Sequence, residues 1–328
     1  MEDFLVICTS YFGDTILTGA LCQNIKLQYP DSHITYIANK PFYEAAAYLE
    51  GVDEVWSYDK KGENKGLAGF VRFVKKYRKQ KNFTAAFVIY GNERGILLAK
   101  SLGVSKIYGE NKGLFRYLLA NKKYISDQYL HKQDKHALLL EYFSEKKTLS
   151  VPIIYQPPNE ALKDIEKLFD SYNIATDDCV ISICTTTKSV ERDLKMDTCC
   201  EIIKELSKKN IKIILIGAGA SAATYSQKLK EHGCNEYIDL INKTSIAQLG
   251  AVLKRSNVVI SVDTGTLHLA IAVGVPVVAV FYICNELKLS QWAPKEFYEH
   301  RLVADGSWKA KTIIGFTEEL LEVQESKK

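Results

Sequence analysis

Two short stretches of this chain gather residue types that do chemistry at the mouth of a parallel sheet. In the first, Ser10, Gly13 and Asp14 follow the apolar run FLVIC at 4–8. In the second, Asp263-Thr264-Gly265-Thr266 follows the apolar run 257–262 and leads through His268 into a helical pattern. A strand that stops, a small polar loop and a helix aiming its positive end at that loop suit an anion such as a pyrophosphate. Asp14 offers a carboxylate at the carboxyl end of the first strand, where open α/β sheets bind ligands. Each feature also has a plainer reading. Asp14, Asp263 and Thr264 are residue types that cap helices, and a histidine such as His268 also serves as a packed helix residue.

The elements that must position these residues alternate along the chain. Apolar runs at 4–8, 33–37, 54–58, 84–88 and 106–108 predict strands, with helices between them from Thr15 onward, at 41–49, at 67–79 and through Leu97 to Leu102. A helix at 136–143 closes this part, and 144–160, with Pro152, Pro157 and Pro158, reads as a linker. The scheme then repeats with a helix at 161–172 and strands at 180–184, 211–216, 257–262 and 277–281. Such alternation implies parallel sheets covered by helices. Two loops of the second half carry further candidates: Thr185-Thr186-Thr187-Lys188 after one strand and Gly217-Ala218-Gly219 after the next. The lone G-x-G lacks a third glycine, so it supports nearness of a nucleotide and not a nicotinamide site.

Composition narrows the class. The chain has 328 residues, enough for two domains, with 47% hydrophobic and 25% charged residues, the profile of a globular protein. A net charge of +4 is too small to argue for nucleic acid, while an acidic or phosphorylated partner is compatible with it. The eight cysteines include no C-x-x-C pair and suggest a reduced, cytoplasmic setting. The acidic start Glu2-Asp3 does not read as a signal peptide, and the run 258–284 is too interrupted to span a membrane. Residues 112–135 interleave Arg116, Lys122, Lys123, His131, Lys132 and Lys135 with Leu114, Tyr117 and Tyr124. Such a mixture rests on an anionic membrane surface, holds phosphates of a ligand, or is simply a solvated face.

The run Asp-Thr-Gly-x-x-His-Leu-Ala-x-Ala-x-Gly-x-Pro-Val-Val-Ala-Val-Phe at 263–281 closely resembles the C-terminal signature of the heptosyltransferase-like glycosyltransferases of family 9. The segment 4–21, with its short strand, Gly13-Asp14 and Thr-containing helix, is similar to the family's beginning. The resemblance implies an α/β GT-B fold: two Rossmann-like domains whose parallel sheets face an interdomain cleft. Residues 1–150 would bind the acceptor and 151–328 the nucleotide-sugar, with the last helix available to pack back on the first domain. It implies inverting, metal-independent transfer of a sugar, typically heptose from ADP-heptose, onto a lipopolysaccharide or lipooligosaccharide core acceptor, with no cofactor.

By the same resemblance Asp14 is the catalytic base. Thr186, Thr187, Lys188, Arg192, Gly217, Asp263, Thr264, Gly265, Thr266 and His268 line the donor, and Ser10, Gly13, Arg94 and Arg116 meet the acceptor. The sequence departs from the family pattern after Thr185, where a Lys/Arg-x-Trp-Pro element is missing. Arg192 is favoured for the diphosphate because a guanidinium bridges two phosphate oxygens, with Lys188 second and Lys195 also in the loop. No acidic residue stands immediately after Ser221 to meet a ribose, and no Asp-x-Asp element stands in a metal-binding loop. The implied setting is the cytoplasm, with peripheral contact at the inner membrane. The alternatives are another GT-B nucleotide-sugar enzyme of the epimerase type and a nucleotide-sugar-binding protein without catalysis.

Overall fold

Burial on both faces explains the first strand. β1 (Asp3–Cys8) has every side chain from Phe4 to Cys8 buried, the mark of a central strand in a parallel sheet. The computed structural model describes residues 2–111, 113–121, 127–282, 285–304 and 308–327, which fall into two units, Met1–Ile154 and Tyr155–Lys328.

The first unit continues with α1 (Phe12–Leu17), α2 (Gly19–Gln28), β2 (His33–Asn39), α3 (Tyr43–Ala47), β3 (Glu54–Tyr58) and α4 (Gly66–Tyr77). β4 (Ala85–Val88), α5 (Glu93–Ser101), β5 (Ile107–Gly109) and α6 (Lys132–Ser144) complete it. Its strands are parallel in the order β3-β2-β1-β4-β5. Alternate side chains of β1 serve opposite faces. Phe4, Val6 and Cys8 pack with Leu21 and Ile25 of α2 and with Leu139 and Leu140 of α6. Leu5 and Ile7 pack with Phe73 of α4 and Leu98 of α5. The strand order reverses between β1 and β4, so the chain leaves these two neighbours in opposite directions and opens a crevice at their carboxyl ends. Asp14 follows β1 there, and residues 89–92 follow β4.

The helix predicted from Thr15 starts earlier, at Phe12, and is interrupted at Thr18. Thr18 Oγ1 donates to the Asp14 carbonyl at 2.7 Å, a back-bond of the kind that bends helices. Asp14 therefore lies inside the first helical turn.

The second unit contains α7 (Asn159–Ser171), β6 (Val180–Cys184), α8 (Met196–Ser207), β7 (Lys212–Ile216), α9 (Ala220–Glu231), β8 (Ile238–Asp239) and α10 (Ile246–Arg255). β9 (Val258–Val262), α11 (Gly265–Ala272), β10 (Val277–Val280), α12 (Glu286–Trp292), β11 (His300–Val303) and α13 (Ala310–Glu325) follow. The parallel order is β11-β10-β9-β6-β7-β8, with its reversal between β6 and β9. The loops bearing Thr185–Lys188 and Asp263–Thr266 leave from those two strands. Ile181 and Ile183 of β6 pack with Cys199, Ile202, Ile203 and Leu206 of α8. The last helix buries Ala310, Ile313 and Leu320 in this unit's own core, where its apolar stripe covers β9, β10 and β11.

The stretch read as a linker is tied down on both sides. Leu149 N–H donates to Asn24 Oδ1 at 2.8 Å and Glu50 N–H to the Ile154 carbonyl at 2.9 Å. Tyr155 N–H donates to Ala272 at 2.8 Å, so the division between units falls after Ile154. Among the described residues no helix is long and apolar enough to cross a membrane.

Gly91 closes the turn after β4 at φ +55, and a Cβ there would stand 2.2 Å from the Glu110 carbonyl oxygen. Gly91→Ala is expected to destabilise the protein by at least about 2 kcal/mol. The measurement is the urea midpoint; a midpoint equal to that of the parent would show that this close approach does not constrain the turn.

Candidate active site

In the first unit the site is built around one carboxylate. Asp14 is 4% exposed. Its Oδ2 accepts from Ser10 Oγ at 2.7 Å and from the Tyr11 N–H at 3.2 Å. Its Oδ1 accepts from the Tyr90 hydroxyl at 2.7 Å. The capping interaction with Tyr11 and a chemically addressable oxygen therefore coexist: Oδ2 holds two donors and Oδ1 holds one. Since each carboxylate oxygen has two lone-pair directions, one on Oδ1 is left over. Gly13 is the second residue of α1.

Tyr90 reaches Asp14 from the turn after β4 with φ 61 and ψ 3. That left-handed conformation costs a non-glycine residue about 1–3 kcal/mol and persists only where the surroundings fix it. Here they do. Asn92 Nδ2 donates to the Ile89 carbonyl at 3.2 Å, and the ring of His136 meets the Tyr90 ring edge-on at 5.5 Å. Lys132 Nζ lies 5.7 Å from the tyrosine ring centre. Burial, with the charge of Asp14 beside it, pushes the Tyr90 phenol up, so it stays a donor. Burial pushes the His136 imidazole down to about 4 against the opposing pull of Asp14 and Glu110. That ring has Nδ1 3.3 Å from Thr18 Oγ1 and Nε2 buried without a hydrogen-bond partner. Burial, then Asp14, raises the Cys8 thiol to about 11, which makes it inert as a nucleophile at neutral pH.

The other candidates of this unit lie elsewhere on it. Arg94 rests with its guanidinium 5.6 Å from the Tyr58 ring centre, and Arg116 is exposed on the 3-10 turn Leu114–Leu118. Neither bonds to Asp14. Part of the basic run turns inward and is not a solvated or membrane-facing stripe: Lys135 Nζ pairs with buried Glu110 at 3.3 Å, Lys132 covers Tyr90, and His131 Nδ1 accepts from the Gln133 N–H at the start of α6. Lys112, Lys122, Lys123 and Tyr124 lie outside the described residues.

In the second unit the focus is Asp263. Its Oδ2 meets Lys288 Nζ at 2.6 Å and Arg192 Nη1 at 3.3 Å. The expected capping of α11 by Thr264 is not formed: Thr264 is the N-cap residue and makes no side-chain cap bond, and Oδ2 of Asp263 is turned to the two cations. The N–H groups opening α11 at Gly265 and Thr266 are consequently available at the loop. Thr266 is buried, and His268 is buried with its ring 5.9 Å from that of Trp292.

The loop after β6 is held by its own bonds. Thr187 N–H donates to Asp193 Oδ1 at 2.5 Å and Thr187 Oγ1 to the Ser189 carbonyl at 2.7 Å. Arg192 alone of the three cations weighed there reaches Asp263. Lys188 is exposed, and Lys195 sits 5.5 Å from the Trp308 ring centre. A Cβ on Gly217 would stand 3.9 Å from Thr186 Oγ1, which puts the loops after β6 and β7 side by side. Tyr90, His136 and Lys288 escaped the sequence reading. The Tyr-Gly-Asn ending of β4 and the Asn285-x-x-Lys288 helix start were the signals present, and Asn285 Oδ1 does accept from the Lys288 N–H at 2.7 Å.

Residues 71–299 match the family described as glycosyltransferase family 9 (heptosyltransferase), a range holding Tyr90, Arg192, Asp263 and Lys288 but not Asp14. The chain is 24% identical over 300 residues to the lipopolysaccharide core heptosyltransferase OpsX of Haemophilus influenzae, covering 89% of this chain and 82% of that one. Its fold is similar to a family 9 glycosyl transferase from Veillonella parvula, with TM-score 0.88, 19% identity and 98% of both chains covered. It is also similar to ADP-heptose lps heptosyltransferase II of E. coli, with TM-score 0.82, 16% identity and 99% and 100% covered. With well over half of its length matched by the family, the chain belongs to glycosyltransferase family 9, the heptosyltransferases.

Proposed function

We propose that this glycosyltransferase moves heptose from ADP-heptose onto a hydroxyl of a lipopolysaccharide or lipooligosaccharide core acceptor in a single inverting, metal-independent displacement. The observation that carries the reading is the Asp14 carboxylate, buried, gripped by three donors and open at one lone pair of Oδ1. The names of the E. coli and H. influenzae relatives support the donor and the acceptor.

In this reading the acceptor hydroxyl gives its proton to Asp14 Oδ1 while its oxygen bonds to the anomeric carbon. The bond from that carbon to the diphosphate oxygen breaks, and its electron pair leaves with the diphosphate. A direct displacement of this kind needs a base and no protein nucleophile. Arg192, Lys288 and the open N–H groups of α11 supply the positive charge that the departing diphosphate requires. Asp263 Oδ1, the oxygen not held by the cations, accepts hydroxyls of the donor sugar. Thr186, Thr187, Lys188, Gly217, Thr264 and His268 complete the donor lining, and Ser10, Gly13, Arg94 and Arg116 serve the acceptor. The seven described cysteines are free thiols, which supports a reducing, cytoplasmic setting. Leu114 and Tyr117, 72% and 67% exposed, flank Arg116 as the segment suited to peripheral contact with the inner membrane.

Asp14→Asn is expected to lower kcat by about 10²–10⁴-fold while ADP affinity stays within about twofold. Acceptor-dependent ADP release and calorimetric titration read the two quantities; equal loss of both counts against Asp14 as the base. Lys288→Met is expected to weaken ADP binding by about 10–100-fold, the worth of one charge-assisted hydrogen bond, and to flatten its salt dependence. Adenosine binding should be unaffected. Equal weakening of ADP and adenosine would remove Lys288 from the diphosphate.

A further inference from the structure

The base reading leaves open what decides which oxygen of Asp14 takes the proton and in which direction. We propose that Tyr90 is the positioning residue that fixes Asp14 Oδ1 as the accepting atom. This deepens the proposal above and rests on Asp14 being the base.

Three observations converge on it. Oδ2 is filled by Ser10 and the Tyr11 N–H, so an incoming hydroxyl finds an unused lone pair only on Oδ1. Tyr90 occupies the other lone pair of Oδ1 at 2.7 Å and so sets the rotation of the carboxylate and the direction of the remaining pair. The tyrosine is held there at a backbone cost: φ 61 is unfavourable for a side chain of this size, and the Gly91 that follows is pressed against the Glu110 carbonyl. A residue packed merely to fill space gains nothing from that conformation, whereas one that must deliver a hydroxyl across the gap between β4 and β1 does. The chain's route agrees. β1 and β4 are the neighbours at which the strand order reverses, so the turn carrying Tyr90 and the turn carrying Asp14 meet by topology.

The ring is braced from behind. His136 meets it edge-on and Lys132 lies over it, both from α6. Proton transfer passes from acceptor hydroxyl to Oδ1, and the Tyr90 proton stays on its own oxygen throughout; the tyrosine orients the carboxylate and exchanges nothing with the substrate.

Tyr90→Phe deletes the hydroxyl and keeps the ring between His136 and Lys132. It is expected to lower kcat about tenfold or more, with KM for the donor and ADP affinity within about twofold. In an Asp14→Asn background the same change is expected to alter residual turnover less than about twofold, since the carboxylate it orients no longer serves as base. Unchanged kcat in the single variant overturns the proposal, and so does a loss of equal size in both backgrounds. If Asp14→Asn itself keeps full turnover, the base reading fails first, and Tyr90 has no base to position. A drop in kcat that comes with an equal drop in ADP affinity and thermal midpoint marks a structural role and likewise overturns it.

Discussion

A buried carboxylate must have its oxygens engaged, and the first unit is arranged around meeting that demand for Asp14. Leaving such a group unpaired in an apolar interior costs several kcal/mol. β1 brings Asp14 to the sheet's carboxyl edge, the turn before α1 supplies Ser10 and the Tyr11 N–H, and the turn after β4 supplies Tyr90. The strained backbone at Tyr90 and the contact at Gly91 follow from this demand. The hydroxyl has to arrive from a neighbouring strand, and the available turn is short. The same arrangement that stabilises the carboxylate leaves one lone pair of Oδ1 without a donor, so the features that hold the fold together at this edge are the ones the proposed function draws on.

Strand order does the corresponding work in the second unit. β6 and β9 are adjacent, and the loops that leave them run toward opposite faces, so Arg192 from one loop meets Asp263 from the other. Lys288 arrives from α12, beyond α11 and β10. Each cation carries a long apolar stem and a charge that is only partly exposed, and Asp263 keeps both in place in the absence of a more highly charged partner. A diphosphate bears more negative charge than a single carboxylate, so under the proposed function the cations are gathered before a donor enters and less ordering entropy is lost on binding it.

Much of this was legible in the residues. The strands at 54–58 and 180–184 have the predicted bounds, because short runs dominated by Val, Ile and aromatic residues between polar turns leave little choice. Asp14 and Asp263 were visible because strand, small polar loop and helix follow one another in sequence. Tyr90 was not visible, since its place depends on β4 lying beside β1 and on a positive φ at a bulky residue, neither of which a periodic pattern encodes. Lys288 was hidden for a related reason: α12 is short and its partner lies 25 positions upstream, at Asp263. Lys132 and Lys135 read as surface charges, yet Glu110 and the Tyr90 ring draw them inward, and only tertiary packing can tell those cases apart.

The two aspartates show how one side chain is given two tasks by its surroundings. Asp14 is bound by two hydroxyls and an amide, all neutral donors. Neutral donors of this kind orient the carboxylate oxygens without setting a counter-charge beside them. Asp263 is bound by a guanidinium and an ammonium. Removing it would leave two partly buried cations uncompensated, which is costly. Asp263 is therefore a counter-charge held between cations, whereas Asp14, the base under the proposed function, is set among neutral donors. A lysine in place of one of the hydroxyl donors around Asp14 would still engage a carboxylate oxygen, yet it would set a cation beside the group that acts as base under the proposed function.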